Sequence, residues 1–149
     1  MNTATVDVKY TSYKDKPVFW VKPEKDEDTL LFDMPFRIAL VGKSMLSGKT
    51  SLAISMLYQL DSRLYREEFL PEDIYIFSPS AKTDFKLKTY ITEKEIPSEN
   101  VFTEYDEEQI DALYEILKDD YNEKMEAKEK PAHKLFYFDD MTFGGQLKR

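Results

Sequence analysis

Apolar positions along the chain fall into two kinds of pattern. Three uninterrupted runs, Ile38-Ala39-Leu40-Val41, Ile74-Tyr75-Ile76-Phe77 and Leu135-Phe136-Tyr137-Phe138, are each broken off by glycine, by Ser78-Pro79 or by acidic residues. Runs of this length without alternation predict strands covered on both faces, as in a parallel sheet under helices. The first predicted central strand is Phe36–Val41, and Val101-Phe102 predicts a further brief one. Helical spacing appears in two other stretches. From Gly48 towards Leu60, and as far as Phe69 if the pattern continues, Leu52, Leu57, Leu60 and Leu64 share a face, with Arg63, Arg66, Glu67 and Glu68 on the wetter side. After Asp106, an N-cap with Gln109 three residues on, Ile110, Leu113, Leu117 and Tyr121 line one face. Glu107, Glu108 and Asp111 suit the positive end of that helix, its tail at 122–130 is polar all round, and Pro131 closes it.

The remainder is less patterned. Residues 1–35 form a β-prone extension, with Val6, Val8 and Tyr10 alternating, a Val18–Val21 run and a charged loop at 22–28. Trp20 in that extension reads as packing bulk. Phe85, Leu87, Tyr90 and Ile91 predict no definite element.

Where the first run ends, the chemistry begins. Gly42 opens a polar loop, and Gly48-Lys49-Thr50 closes it at the start of a helix. Strand, loop and helix in that order are the context a phosphate-binding loop (Walker A) requires. The candidate phosphate-binding residues are Gly42, Lys43, Ser44, Met45, Leu46, Ser47, Gly48, Lys49, Thr50 and Ser51. Backbone N–H groups and the helix N-terminus would hold the triphosphate, Lys49 would reach the β/γ-phosphates, and the Thr50 hydroxyl would ligate Mg²⁺. The usual spacing puts Gly where this chain has Lys43. Either the loop is one residue longer, starting at Gly42, or Lys43 replaces the glycine.

The third run delivers a second acidic signature (Walker B). Asp139, about 90 residues after Lys49, is placed at the carboxyl end of a strand to support Mg²⁺. Asp140 stands where a carboxylate can polarise the attacking water, one methylene shorter than the usual Glu. His133, the single histidine, lies in a loop and reads as solvated.

Composition narrows the class. The 149 residues suit one domain, and 42% hydrophobic with 14% aromatic residues is a globular balance. A net charge of -8 excludes a uniformly basic nucleic-acid surface, though not a motor that grips DNA through a few local positions in a ring. With no cysteine there is no disulfide framework and no thiolate metal site. No stretch has the length of an apolar span or a secretory signal core, which predicts a soluble, intracellular protein without membrane contact.

The segments Pro35–Leu52, Ile74–Phe85 and Leu135–Met141 together resemble the viral genome-packaging ATPases of the FtsK–HerA superfamily, the poxvirus and giant-virus type. Ser78-Pro79 after a strand, then Thr83-Asp84, and Asp139-Asp140 in place of Asp-Glu carry the resemblance to the packaging branch. It covers roughly residues 35–143. It implies an α/β P-loop NTPase with a mostly parallel sheet flanked by helices, and ATP hydrolysis with Mg²⁺ coupled to translocation of double-stranded DNA. It also implies a homo-oligomeric ring, a capsid or portal partner, and a host-cytoplasm or viral-assembly location. By the same resemblance Lys49 and Thr50 are the phosphate and Mg²⁺ residues, Asp139 the Mg²⁺-supporting acid and Asp140 the catalytic base. Arg37, Arg63, Arg66 and Arg149 are candidates for an arginine finger. The family places further strands after the acidic one, including one between it and the phosphate-loop strand. Their absence here reads as truncation of a longer ATPase. Two other functions fit the residues. One is a small P-loop kinase acting on a nucleoside or metabolite, with Lys82–Lys88 as a feeble lid. The other is a nucleotide-binding but inert assembly module, its sheet completed by another chain.

Overall fold

A computed structural model describes residues 34–43, 47–59 and 65–140. Residues 1–33 of the N-terminal extension with Trp20, loop residues 44–46, Leu60, Arg63, Leu64 and Arg149 lie outside the described residues. Three strands, β1 (Ile74–Phe77), β2 (Val101–Phe102) and β3 (Leu135–Phe138), form a parallel sheet in the order β2-β1-β3. Three helices flank it: α1 (Lys49–Tyr58), α2 (Phe85–Glu93) and α3 (Glu107–Glu126). The fold is a small α/β one, as the unbroken apolar runs predict.

β1 is the centre because it alone pairs on both edges, and all four of its residues are buried. Its side chains alternate between two apolar layers. Ile74 and Ile76 join Leu57, Tyr65, Phe69, Leu87 and Tyr90 in the main core. Tyr75 and Phe77 belong to an aromatic layer that crosses the sheet. Phe77 stacks on Phe102 at 4.8 Å and on Phe138 at 4.5 Å, and Tyr75 meets Phe136 edge-on at 5.3 Å. Polar pairs fix the strand starts. Lys134, just before β3, bonds the carboxylate of Asp73, just before β1, and Asp73 is 4% exposed. The Asn100 amide donates to the Glu72 carbonyl at 3.1 Å.

The structure corrects three expectations. Phe36–Val41 is not a strand: its backbone is irregular throughout, and Val41 is 93% exposed. Phe36 instead packs its ring on Tyr65 and Phe69, at 4.8 and 6.5 Å. The helix after the loop ends at Tyr58, and residues 65–67 form a separate 3₁₀ turn. Its buried stripe is Ala53 and Leu57, while Leu52 is exposed, because the apolar face is set by what the helix leans on and not by where its leucines fall.

The segment without a clear sequence pattern is α2. Asp84 caps it by accepting from the Leu87 amide at 2.9 Å, and Leu87 and Tyr90 enter the core. α3 starts as expected, with the Asp106 carboxylate accepting from the Gln109 amide. Ile110, Leu113 and Leu117 do face inward but only half-buried, and no residue of the helix is fully buried. It ends at Glu126, ahead of Pro131. Among the described residues no helix is long and apolar enough to cross a membrane.

Candidate functional site

The loop between residues 42 and 48 is closed by two glycines with different duties. Gly48 adopts φ +77°, a left-handed conformation that side-chain-bearing residues avoid, and its carbonyl accepts the first α1 bond from the Leu52 amide at 2.8 Å. Gly42 is needed for space: a Cβ there would lie 2.9 Å from both the Cβ and Oγ of Ser47. A side chain at residue 42 would therefore require Ser47 to shift.

α1 then begins with no side-chain cap and no acidic residue in its first turn. Its leading N–H groups are therefore left without a capping side chain, at the positive end of the helix. Lys49 bends over this end, its ammonium donating to the carbonyls of Gly42 at 2.8 Å and Lys43 at 3.2 Å. An anion seated in the loop would exchange those carbonyls for its own oxygens.

Asp139 and Asp140 follow the last residue of β3, as the third apolar run predicts, and the Asp139 amide donates to the Phe77 carbonyl at 2.9 Å. The Asp139 carboxyl is held above its ordinary 3.8 by burial first, then by the nearby charges of Asp140 and Asp84, against which the Ser78 hydroxyl and Lys49 act. Asp140 sits at φ 49°, which fixes it in a turn beyond the strand. Lys49, Thr50, Asp139 and Asp140 thus converge on the carboxyl end of the sheet, where open α/β folds bind ligands.

The sequence motifs assign no site role to three neighbours. Ser78, fully buried, donates to Asp139 Oδ2 at 3.4 Å. Tyr137 lies close to the Thr50 side chain, and burial with the nearby Asp139 raises its phenol well above the ordinary range. Lys86, from α2, donates to the Ser51 hydroxyl. The parallel register could have exposed the first: Phe77 pairs with Phe138, so the next residues, Ser78 and Asp139, emerge side by side. The two-residue period of β3 likewise sets Tyr137 on the same face as Asp139.

Of the arginines, Arg66 is engaged within its own chain, donating to the Tyr58 carbonyl and lying 4.8 Å over the Tyr58 ring. Arg37 is exposed. His133 is exposed in its loop. The site opens into a groove of about 1220 Å³ lined by residues 34–40, the α3 residues Tyr114, Leu117 and Tyr121, and β3. β3 has no strand partner on this outer edge among the described residues.

No family model, curated protein or solved structure matches the chain.

For Mg²⁺ the residues present give a partial but chemically suited set. Among the described residues no cluster of three or more His, Cys, Asp or Glu could hold a metal by itself. Mg²⁺ does not ask for one, because it keeps waters and uses one or two protein oxygens together with substrate phosphates. Thr50 and Asp139 could supply that minimum, and the repulsion of Asp139 by Asp140 and Asp84 is what a divalent cation would offset.

Proposed function

We propose that the chain binds Mg·ATP and is the nucleotide-hydrolysing part of a P-loop ATPase. The observation that carries this reading is the α1 N-terminus without a side-chain cap behind left-handed Gly48, with Lys49 near Asp139 and Thr50 beside Tyr137 at the carboxyl end of the sheet. In this reading the α1 amides and Lys49 bind the phosphates, and Thr50 and Asp139 would hold Mg²⁺. The bound ion supplies neutralisation of charge on the β- and γ-oxygens. Asp140 orients the attacking water, and Ser78 keeps the Asp139 carboxylate aimed. The further step, from ATPase to a ring that translocates double-stranded DNA in genome packaging, is supported by the resemblance in the loop, the Ser78-Pro79 turn and the Asp139-Asp140 pair. Exposed Arg37 is then the described arginine best placed to serve a neighbouring subunit.

Calorimetry of Mg·ATP against the whole chain tests the core of the proposal. Binding abolished by Lys49→Ala and strongly weakened by Asp139→Ala is expected. Binding that both variants leave intact sinks it. Turnover stimulated by DNA in an assembled ring then separates the motor from an inert binding module, and labelling of a small acceptor separates it from a kinase.

A further inference from the structure

We infer that the cleft between α1 and α2 is the nucleoside subsite of this nucleotide site, with Phe85 as the surface on which the base stacks and Lys86 as a second cation beside the phosphate chain. This rests on the phosphate-loop reading and adds to it where the rest of the nucleotide goes.

Helix geometry divides the start of α1 into two sides. Successive residues point about 100° apart around an α-helix. Thr50 turns to β3, where it lies close to Tyr137, while Ser51 turns to α2 and is bonded by Lys86. The first side faces the acidic residues of the sheet. The second leads, one residue along, into a separate cleft of about 300 Å³ lined by Ser51, Ser55, Tyr58, Phe85, Lys86 and Thr89. That volume lies at the lower end of ligand pockets, roughly 300–1,000 Å³, and suits a base and sugar. A phosphate chain lying over the α1 N-terminus with its last phosphate towards Asp139 would run its other end past Ser51 and Lys86 into this cleft.

Phe85 is the feature the fold does not use. It opens α2 yet is 80% exposed, whereas Leu87 and Tyr90 of the same helix are in the core. The other aromatic wall is already fixed: Tyr58 meets Tyr90 edge-on at 6.1 Å and carries Arg66 over its ring. Thr89 turns its hydroxyl to the Phe85 carbonyl, at 2.7 Å, and away from any base edge. A site built from ring faces and few polar atoms holds any base by stacking and reads its edges poorly, so adenine and guanine should bind within a few-fold of each other.

The test compares ATP, GTP and inorganic tripolyphosphate, each with Mg²⁺, by calorimetry on the whole chain. The wild type should bind ATP and GTP similarly and tripolyphosphate more weakly. Phe85→Ala should weaken ATP and GTP roughly tenfold, the usual scale of one base–aromatic stack, and leave tripolyphosphate unchanged. Phe85→Trp should retain ATP binding, with indole fluorescence quenched on addition of ATP but not of tripolyphosphate. Lys86→Ala should weaken both nucleotides with little loss of stability, as expected of an exposed side chain. If Phe85→Ala leaves ATP unchanged, or weakens ATP and tripolyphosphate equally, the subsite is overturned while the phosphate loop stands. A wild type that binds none of the three ligands overturns the phosphate loop and the subsite together.

Discussion

Ile74–Phe77 and residues 38–41 are apolar runs of equal length, each followed by a turn that opens towards the candidate site. The first is buried at all four residues and paired on both edges, and the second pairs with nothing described and ends on an almost fully exposed Val41. Apolarity supplies the same drive to both. The difference lies in what surrounds them. β1 has a strand on each side to take its backbone N–H and C=O groups, whereas 38–40 border the groove along the edge of β3 that has no strand partner among the described residues. Burying an unpaired backbone costs more than burying the side chains returns, so among the described residues the run that is paired on both edges is the buried strand.

Core truncation should show this contrast at its largest. Phe77→Ala removes a fully buried ring held between Phe102 and Phe138, and should cost about 3–5 kcal/mol. Val41→Ala should stay within about 0.5 kcal/mol, as for ordinary surface positions. Urea unfolding of both variants measures the difference. Comparable losses would mean that 38–41 is as much a part of the sheet as β1.

Next in size is the pair that starts the two long strands. Lys134→Ala leaves Asp73 buried without its ammonium and should cost about 3 kcal/mol, as breaking a buried ion pair does. Lys118→Ala removes an exposed partner of Glu115 on α3, and should leave the unfolding midpoint almost where it is in the wild type. Equal effects would show that the Asp73 pair does not anchor β1 against β3.

How far the fold could be read in advance follows from the same contrast. β1 and β3 were legible because breakers bound each run and each finds a partner. The α3 start was legible because Asp106 and Gln109 form a local cap that needs no tertiary context. Residues 36–41 were misread because nothing in the run itself reports whether a neighbour will pair with it. α2 was opaque because only Leu87 and Tyr90 face the core, and the Asp84 cap sits in a run of polar residues. At the site, Lys49, Thr50, Asp139 and Asp140 came from the motifs. Ser78, Tyr137 and Lys86 belong to elements distant in sequence and meet it only through strand register and helix packing.

The two loop glycines sharpen the comparison within the site. Gly48→Ala meets no atom within 4 Å but must hold φ +77°, which should cost about 1–2 kcal/mol. Gly42→Ala has the opposite problem, a contact with Ser47 that displaces the loop. Gly42→Ala should therefore weaken nucleotide binding more than it lowers the melting temperature. Gly48→Ala should lower both together. Thermal melts read beside ATP titrations decide it.

The smallest expected effect concerns Asp139, which unlike the Asp73 carboxylate lacks a direct cationic partner in the described site and is crowded by Asp140 and Asp84. Its folded-state pKa lies above the unfolded value, so the folded chain holds the proton more tightly. Between the unfolded value and the raised one, stability must fall as pH rises, and above both the charged carboxylate is a standing cost to the empty protein. Asp139→Asn should therefore melt slightly higher than the wild type at pH 7, with the gain shrinking as pH is lowered towards 3.8 and below. The same substitution removes the acid assigned to Mg²⁺ and should weaken Mg·ATP binding. A variant that gains stability while losing metal-dependent affinity marks a carboxylate kept for its ligand, since a residue kept for the fold would lose stability at neutral pH when neutralised.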